Sequence, residues 1–202
     1  MYPDPDHSFV LACQEAGSGG LDGPFRGLYD RYKDRVYNVC FRITGNASDA
    51  LDASQETFGI LYRKIGEFRF HSRFSSWVYR IAVNASIDLK RRQSSRRFAS
   101  LEWASESGDS PGRSQDVLDE NIEMPMASAS RHELEREVQL AITRLSPKLR
   151  AITVLRYVEN LSYEEIAEAL DISIGTVKSR LARAHDALDR ELGPVLHKHY
   201  LG

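Results

Sequence analysis

Leu161-Ser-Tyr-Glu-Glu-Ile-Ala-Glu-Ala-Leu170 and, directly after it, Asp171-Ile-Ser-Ile-Gly-Thr-Val-Lys-Ser-Arg-Leu181 decide how this chain is read. Ser162 and Glu165 stand three apart, the spacing of a capping box, in which each side chain satisfies a free amide at a helix start. Tyr163, Ile166, Ala167 and Leu170 recur at three- and four-residue steps, so the first helix has one apolar face. Asp171 falls at the turn, where a residue with φ > 0 is often needed, and Asp is among the few non-glycine residues that tolerate it. The pattern predicts two short helices and a tight turn.

The second helix has a different character. Ser173 can cap it, and Val177, Leu181, Ala184 and Leu188 stack on one side at spacings of four, three and four. Roughly opposite lie Ser179, Ala182, Arg183 and Asp186, with Lys178 to one side. Ser173, Gly175 and Thr176 occupy the first turn, where free amides and the helix dipole favour a phosphate. An apolar back, a small and basic front and an anion-suited N-terminus are what docking in a major groove requires. The same pattern also suits an amphipathic hairpin packed on a protein partner.

Composition bounds the rest. At 202 residues the chain can hold one domain or two small ones, and 42% hydrophobic with 28% charged residues suits a globular protein. A net charge of -2 excludes a bulk polycation, so any contact with DNA must come from local basic patches. Two cysteines, Cys13 and Cys40, support no disulfide framework, and Cys40 sits on an apolar stripe as a small core residue. No apolar run is long enough to span a bilayer and no signal peptide opens the chain, which points to the cytoplasm without membrane insertion. His7, His71, His132 and His185 are scattered, and neither a phosphate loop nor metal-ligand spacing is visible. The reading therefore calls for no catalytic residue, no metal and no cofactor.

Charge divides the chain. Residues 99–130 are acidic and rich in Ser, Gly and Pro, without a sustained period, and read as a flexible linker. Before it, the stretch from Arg80 to Arg97 is strongly basic. The expected organisation is an all-α protein of two small helical domains, residues 25–98 and 131–202, joined by that linker and preceded by an extension over 1–24. The extension and the tail His197-Lys-His-Tyr-Leu-Gly202 suggest no function.

In the first domain Phe25, Leu28, Tyr32, Val36, Val39 and Ile43 line one face of a helix that ends at Gly45-Asn46. Ser48 is expected to cap the next helix, with Leu51, Phe58, Leu61, Tyr62 and Ile65 inward and Asp52, Glu56 and Arg63 outward. After an aromatic loop, Phe68 to Phe74, a third helix turns Val78, Ile81, Ala82, Ala85 and Leu89 inward. Arg80, Asn84 and Arg91 then face outward, with Trp77 and Asp88 at the edge. Arg, Asn and aromatic groups together suit unpaired nucleic acid, since bases stack on rings while cations hold phosphates. Taken singly, Phe68, Phe70 and Phe74 read more simply as core. The second domain opens with Leu134, Val138, Ala141, Ile142 and Leu145 on one face, then a helix begun by Ser146-Pro147 with Leu149, Ile152, Leu155 and Val158 inward.

Four segments in order now carry a resemblance: Asp49-Ala-Leu-Asp-Ala-Ser-Gln-Glu-Thr-Phe58, Phe74-Ser-Ser-Trp-Val-Tyr-Arg-Ile-Ala-Val-Asn84, Leu145-Ser-Pro-Lys-Leu-Arg150, and Leu161 through Leu188. The chain resembles an extracytoplasmic-function (group 4) RNA polymerase sigma factor of the sigma-70 family, close to its RpoE-like members. The resemblance implies that region 2 binds the clamp helices of core polymerase and opens the −10 element. Region 4 would bind the −35 element as duplex and touch the polymerase flap. It places Asp49, Asp52, Gln55 and Glu56 on the polymerase-binding helix, with Leu51 standing where the family commonly has Glu. Trp77, Arg80, Asn84, Asp88 and Arg91 fall to the −10 element, Asn84 near a flipped base whose pocket is the loop from Arg69 to Ser76. Lys178, Ser179, Ala182 and Arg183 fall at −35 base-reading positions, and Arg156, Ser173 and Thr176 at phosphate-contacting ones. The linker would thread toward the RNA exit channel, and an anti-sigma factor would hold the protein inactive. Two rival readings are a stand-alone helix-turn-helix regulator of duplex DNA and an enzyme.

Overall fold

The computed structural model describes residues 4–106 and 129–200. Eight α-helices and one 3₁₀ turn make up its regular structure, and no strand occurs among the described residues. The first lobe holds α1 (His7–Gly20), α2 (Asp22–Thr44), α3 (Ala47–Lys64), the 3₁₀ turn Ile65–Glu67 and α4 (Phe74–Glu106). The second holds α5 (Ala129–Arg144), α6 (Pro147–Tyr157), α7 (Tyr163–Leu170) and α8 (Ile174–Tyr200). Helix α4 thus runs through residues 99–106, where composition suggests a linker, and the remainder of that linker up to 128 lies outside the described residues.

Helix α2 is the axis of the first lobe, and Phe25, Leu28, Tyr32, Val36, Val39 and Ile43 are all buried along it. It ends at Gly45, whose φ of 85° lets its N–H return to Phe41 O at 2.9 Å. A side chain there would be strained and would meet Thr143 of α5. The chain then turns extended at Asn46, whose side chain accepts the Asp49 N–H at 2.8 Å and caps α3. Ser48 is therefore one residue inside the helix and not its cap.

The inward face of α3 also differs from expectation. Ala50, Ala53, Ser54, Thr57 and Leu61 are buried, while Leu51 is 51% exposed and Tyr62 sits at the rim, its hydroxyl donating to Asp22. Small residues let α3 approach α2 and α4 closely, and that close approach outweighs the larger apolar side chains in setting the helix's rotation. Helix α4 is buried on two sides, with Val78, Tyr79, Ala82, Val83 and Ser86 enclosed, because the second lobe packs against it. The same packing buries α6 all round from Ala151 to Leu155 and leaves Val158, expected inward, at the surface.

In the second lobe the caps and turn of the helix-turn-helix form as their spacing predicts, but only the first helix is short: α8 runs 27 residues, through the tail to Tyr200. The Ser162 hydroxyl accepts the Glu165 N–H at 3.2 Å and the Glu165 carboxylate accepts the Ser162 N–H at 2.8 Å. Asp171 adopts φ 53° and ψ 53° between the two helices. Ser173 accepts the Thr176 N–H at 3.1 Å and starts α8.

The lobes touch through polar groups. Glu159, just after α6, accepts from Arg35 of α2 at 2.9 Å and from the Tyr79 hydroxyl of α4 at 2.5 Å. Its carboxylate is almost fully buried. Arg42 donates to Gln139 of α5 at 2.8 Å, and Arg150 of α6 donates to the carbonyl of Ile43.

Candidate nucleic-acid and polymerase interfaces

The second lobe presents one face of α8. Val177, Leu181 and Ala184 are buried against α6 and α7, which turns Lys178, Ser179, Ala182, Arg183 and Asp186 outward. At the helix start Ser173 and Gly175 are exposed and Thr176 is half-buried, so the first turn is open to an anion. Arg156 is placed differently. Its guanidinium donates to Leu161 O at 2.8 Å and lies 5.4 Å from the centre of the Tyr163 ring, bracing the entry to α7.

In the first lobe Trp77, Arg80, Asn84, Asp88 and Arg91 follow one another along α4 at spacings of three and four, and their neighbours divide them. Asn84 is exposed, and Asp88 pairs with Arg91 at 3.1 Å. Asn84 and Asp88 border a groove between α3 and α4 that Asp52, Glu56, Ile60 and Arg92 also line. Trp77 is half-buried, its ring centred 5.1 Å from Phe68 and 5.7 Å from Phe74, both of which are core. Arg80 reaches across to the other lobe, donating to the carbonyls of Glu168 and Ala169 at the end of α7. The aromatic loop therefore offers polar groups at its surface, Arg69, His71 and Arg73, and Arg73 pairs with Glu165.

On α3, Asp52, Gln55 and Glu56 are exposed, while Asp49 is buried and occupied. Its carboxylate accepts from Asn46 at 2.7 Å and from Gln93 at 2.6 Å, and pairs with Lys90 at 3.5 Å. Asp49 thus ties α3 to α4 from within, and Leu51 takes a place on the exposed face that periodicity alone assigns to the core.

Burial shapes the electrostatics at two points. It pushes the Cys40 thiol up to about 11, against smaller opposing effects of hydrogen bonds with Ser86 and Thr57. Burial, followed by the bond to Glu159, holds the Tyr79 phenol protonated well above its ordinary range. Among the described residues no group of His, Cys, Asp and Glu is arranged to hold a metal ion, and no helix is long and apolar enough to cross a membrane.

Two helical lobes, one carrying a helix-turn-helix, make an all-α architecture that known sequences assign to a family. Residues 28–96 match the model of sigma-70 region 2, and residues 135–188 match that of sigma-70 region 4. The chain is 38% identical over 173 residues to the ECF RNA polymerase sigma factor SigW of Bacillus subtilis, covering 86% of this chain and 91% of that one. It is 35% identical over 178 residues to the ECF RNA polymerase sigma-E factor of Escherichia coli, covering 86% and 89%. In fold it is similar to CnrH in complex with the cytosolic domain of CnrY, with a TM-score of 0.65 at 21% identity over 94% of this chain and 97% of that one. It is also similar to the sigma factor RpoE bound to the anti-sigma factor NepR from Bartonella quintana, with a TM-score of 0.57 at 20% identity over 84% and 96%. The chain belongs to the extracytoplasmic-function family of RNA polymerase sigma factors.

Proposed function

We propose that this sigma factor binds core RNA polymerase through the exposed acidic face of α3 and directs it to promoters through α4 and α8. The observation that carries the reading is the outward face of α8, where Lys178, Ser179, Ala182 and Arg183 stand clear of a buried back. Arg183 and Lys178 are suited to base edges or phosphates of the −35 duplex, Ser179 to either, and Ala182 to a thymine methyl. Ser173 and Thr176 hold the helix start open to a backbone phosphate, and Arg156 fixes the approach of α7. Asn84, Asp88 and Arg91, with Trp77 and Arg80 nearer the loop, receive the −10 strand once it is unpaired. Capture of an extruded base offsets an unstacking cost of a few kcal/mol. Asp52, Gln55 and Glu56 meet the clamp helices, and Asp49 serves them by holding α3 in place.

No step here needs a catalytic residue or a cofactor, and the protein acts in the cytoplasm beside the polymerase. An anti-sigma factor covering both lobes would hold the protein inactive, a reading supported by the anti-sigma factor named as the partner of RpoE. Run-off transcription with purified core polymerase, on a promoter with an AAC-containing −35 element, tests the reading. Transcript should depend on the added protein and fall at least about tenfold in Arg183→Ala and Asn84→Ala. A chain that fails to bind core polymerase in gel filtration defeats it.

A further inference from the structure

Residues 4–20 have no part in that reading, yet they hold both ends of the loop 68–73. At the start of α4 the Asp4 carboxylate accepts the Phe74 N–H at 2.7 Å through Oδ2, while its Oδ1 accepts the Asp6 N–H at 3.0 Å. The first amides of a helix lack intrahelical partners, so an acceptor from elsewhere in the chain fixes where the helix begins. At the other end Gln14 Nε2 donates to Ile65 O at 3.0 Å and to Phe68 O at 2.8 Å. Between these anchors Phe70 sits at φ 56°, a region that L side chains avoid. The His7 ring lies 4.6 Å from that of Phe70.

The anchors are themselves fixed. Asp6 is buried and accepts from the Tyr32 hydroxyl at 2.5 Å, with Arg31 at 3.2 Å. Val10 and Cys13 are in the core. Asp4 and Gln14 therefore reach the loop from a rigid base, and the loop in turn displays Arg69, His71 and Arg73.

We infer that the N-terminal segment is a splint for promoter reading, in which Asp4 and Gln14 are positioning residues. They hold the loop 68–73 in the shape that receives an extruded −10 base. The inference rests on the −10 reading of that loop. An unanchored loop would have to be ordered by the DNA, and that ordering would be taken from affinity and from base preference. Two substitutions separate the hydrogen bonds from bulk. Asp4→Asn keeps an acceptor for the Phe74 amide, whereas Asp4→Ala removes it. Gln14→Glu keeps the size of the side chain but loses both donors to the loop carbonyls.

The experiment uses the full chain. Run-off is measured with core polymerase on templates carrying each of the four bases at each −10 position, alongside core affinity and hydrogen exchange of the loop amides. Asp4→Ala and Gln14→Glu should reduce preference at one −10 position by about five- to tenfold; Asp4→Ala should speed exchange at Phe74, and Gln14→Glu at Phe68, whose N–H bonds the Ile65 carbonyl that Gln14 holds. Core affinity should stay within about twofold and Asp4→Asn should behave as wild type. Unchanged −10 preference despite faster exchange overturns the inference, leaving only a structural role, and unchanged exchange overturns the splint itself. If Arg69→Ala and His71→Ala also leave −10 preference intact while exchange responds, the fault lies in assigning the loop to the −10 element, and the inference falls with it.

Discussion

At the residue scale, position determines what a side chain does more than its type. Asp49 and Asp52 lie on the same helix, three apart, yet one is buried among Asn46, Lys90 and Gln93 and the other is exposed. Asp49→Ala should destabilise the protein by about 1–3 kcal/mol in urea unfolding, because it removes the charge-assisted hydrogen bonds that tie α3 to α4. Asp52→Ala should stay within roughly 0.5 kcal/mol while weakening binding to core polymerase. Cys40 gives a pH dependence with a definite sign. Its folded pKa, about 11, lies above the ordinary value of 9.0, so folding keeps the proton on. The contribution is complete below pH 9 and is lost as pH rises toward 11, by roughly 2 kcal/mol at pH 10.5. Cys40→Ala should flatten that part of the stability curve, although its stability at pH 7 falls from the lost packing.

At the scale of the element, the helix-turn-helix is specified locally. Its capping box and the left-handed Asp171 involve residues at most four apart, so they need no distant contact. Ser162→Ala should cost about 1 kcal/mol and Asp171→Val about 1–2 kcal/mol, while Asp171→Gly should be tolerated, all read from thermal unfolding. Helix α3 behaves otherwise. Hydropathy suggests Leu51, Phe58, Leu61, Tyr62 and Ile65 as one inward face; Leu61 and Ile65 are buried and Phe58 partly so, but Leu51 and Tyr62 are exposed and Ala50, Ala53 and Thr57 are buried, since two neighbouring helices have to come close there. A residue-by-residue hydropathy pattern cannot register that the neighbours demand small side chains.

At the scale of the whole molecule, the lobes close on a buried carboxylate. Glu159 joins Arg35 and Tyr79, and the same closure places Arg80 under the last carbonyls of α7. On the proposed −10 reading, Arg80 meets the promoter strand with its Nε and one Nη2 donor engaged by α7, and parting these contacts would free the whole guanidinium for the strand. Glu159→Ala should leave the Tyr79 hydroxyl without its acceptor and weaken the closure by about 1–3 kcal/mol. Small-angle scattering should then give a larger radius of gyration than wild type, with Glu159→Gln in between. An unchanged radius would show that apolar contacts alone keep the lobes together.

The sequence by itself determined the all-α class, the apolar axis of α2, the helix-turn-helix with its caps, and the family, through four ordered motifs. Those features depend on residues close in the chain, where spacing, capping chemistry and a permitted positive φ act without help from the rest. Only the tertiary structure decided that Asp49 is braced inside, that Leu51 faces out, that Arg80 is engaged by the other lobe, and that Asp4 and Gln14 grip a loop more than fifty residues away. Such pairings arise when packing brings distant polar groups together and excludes water from between them, and nothing in the local pattern of either partner records the other.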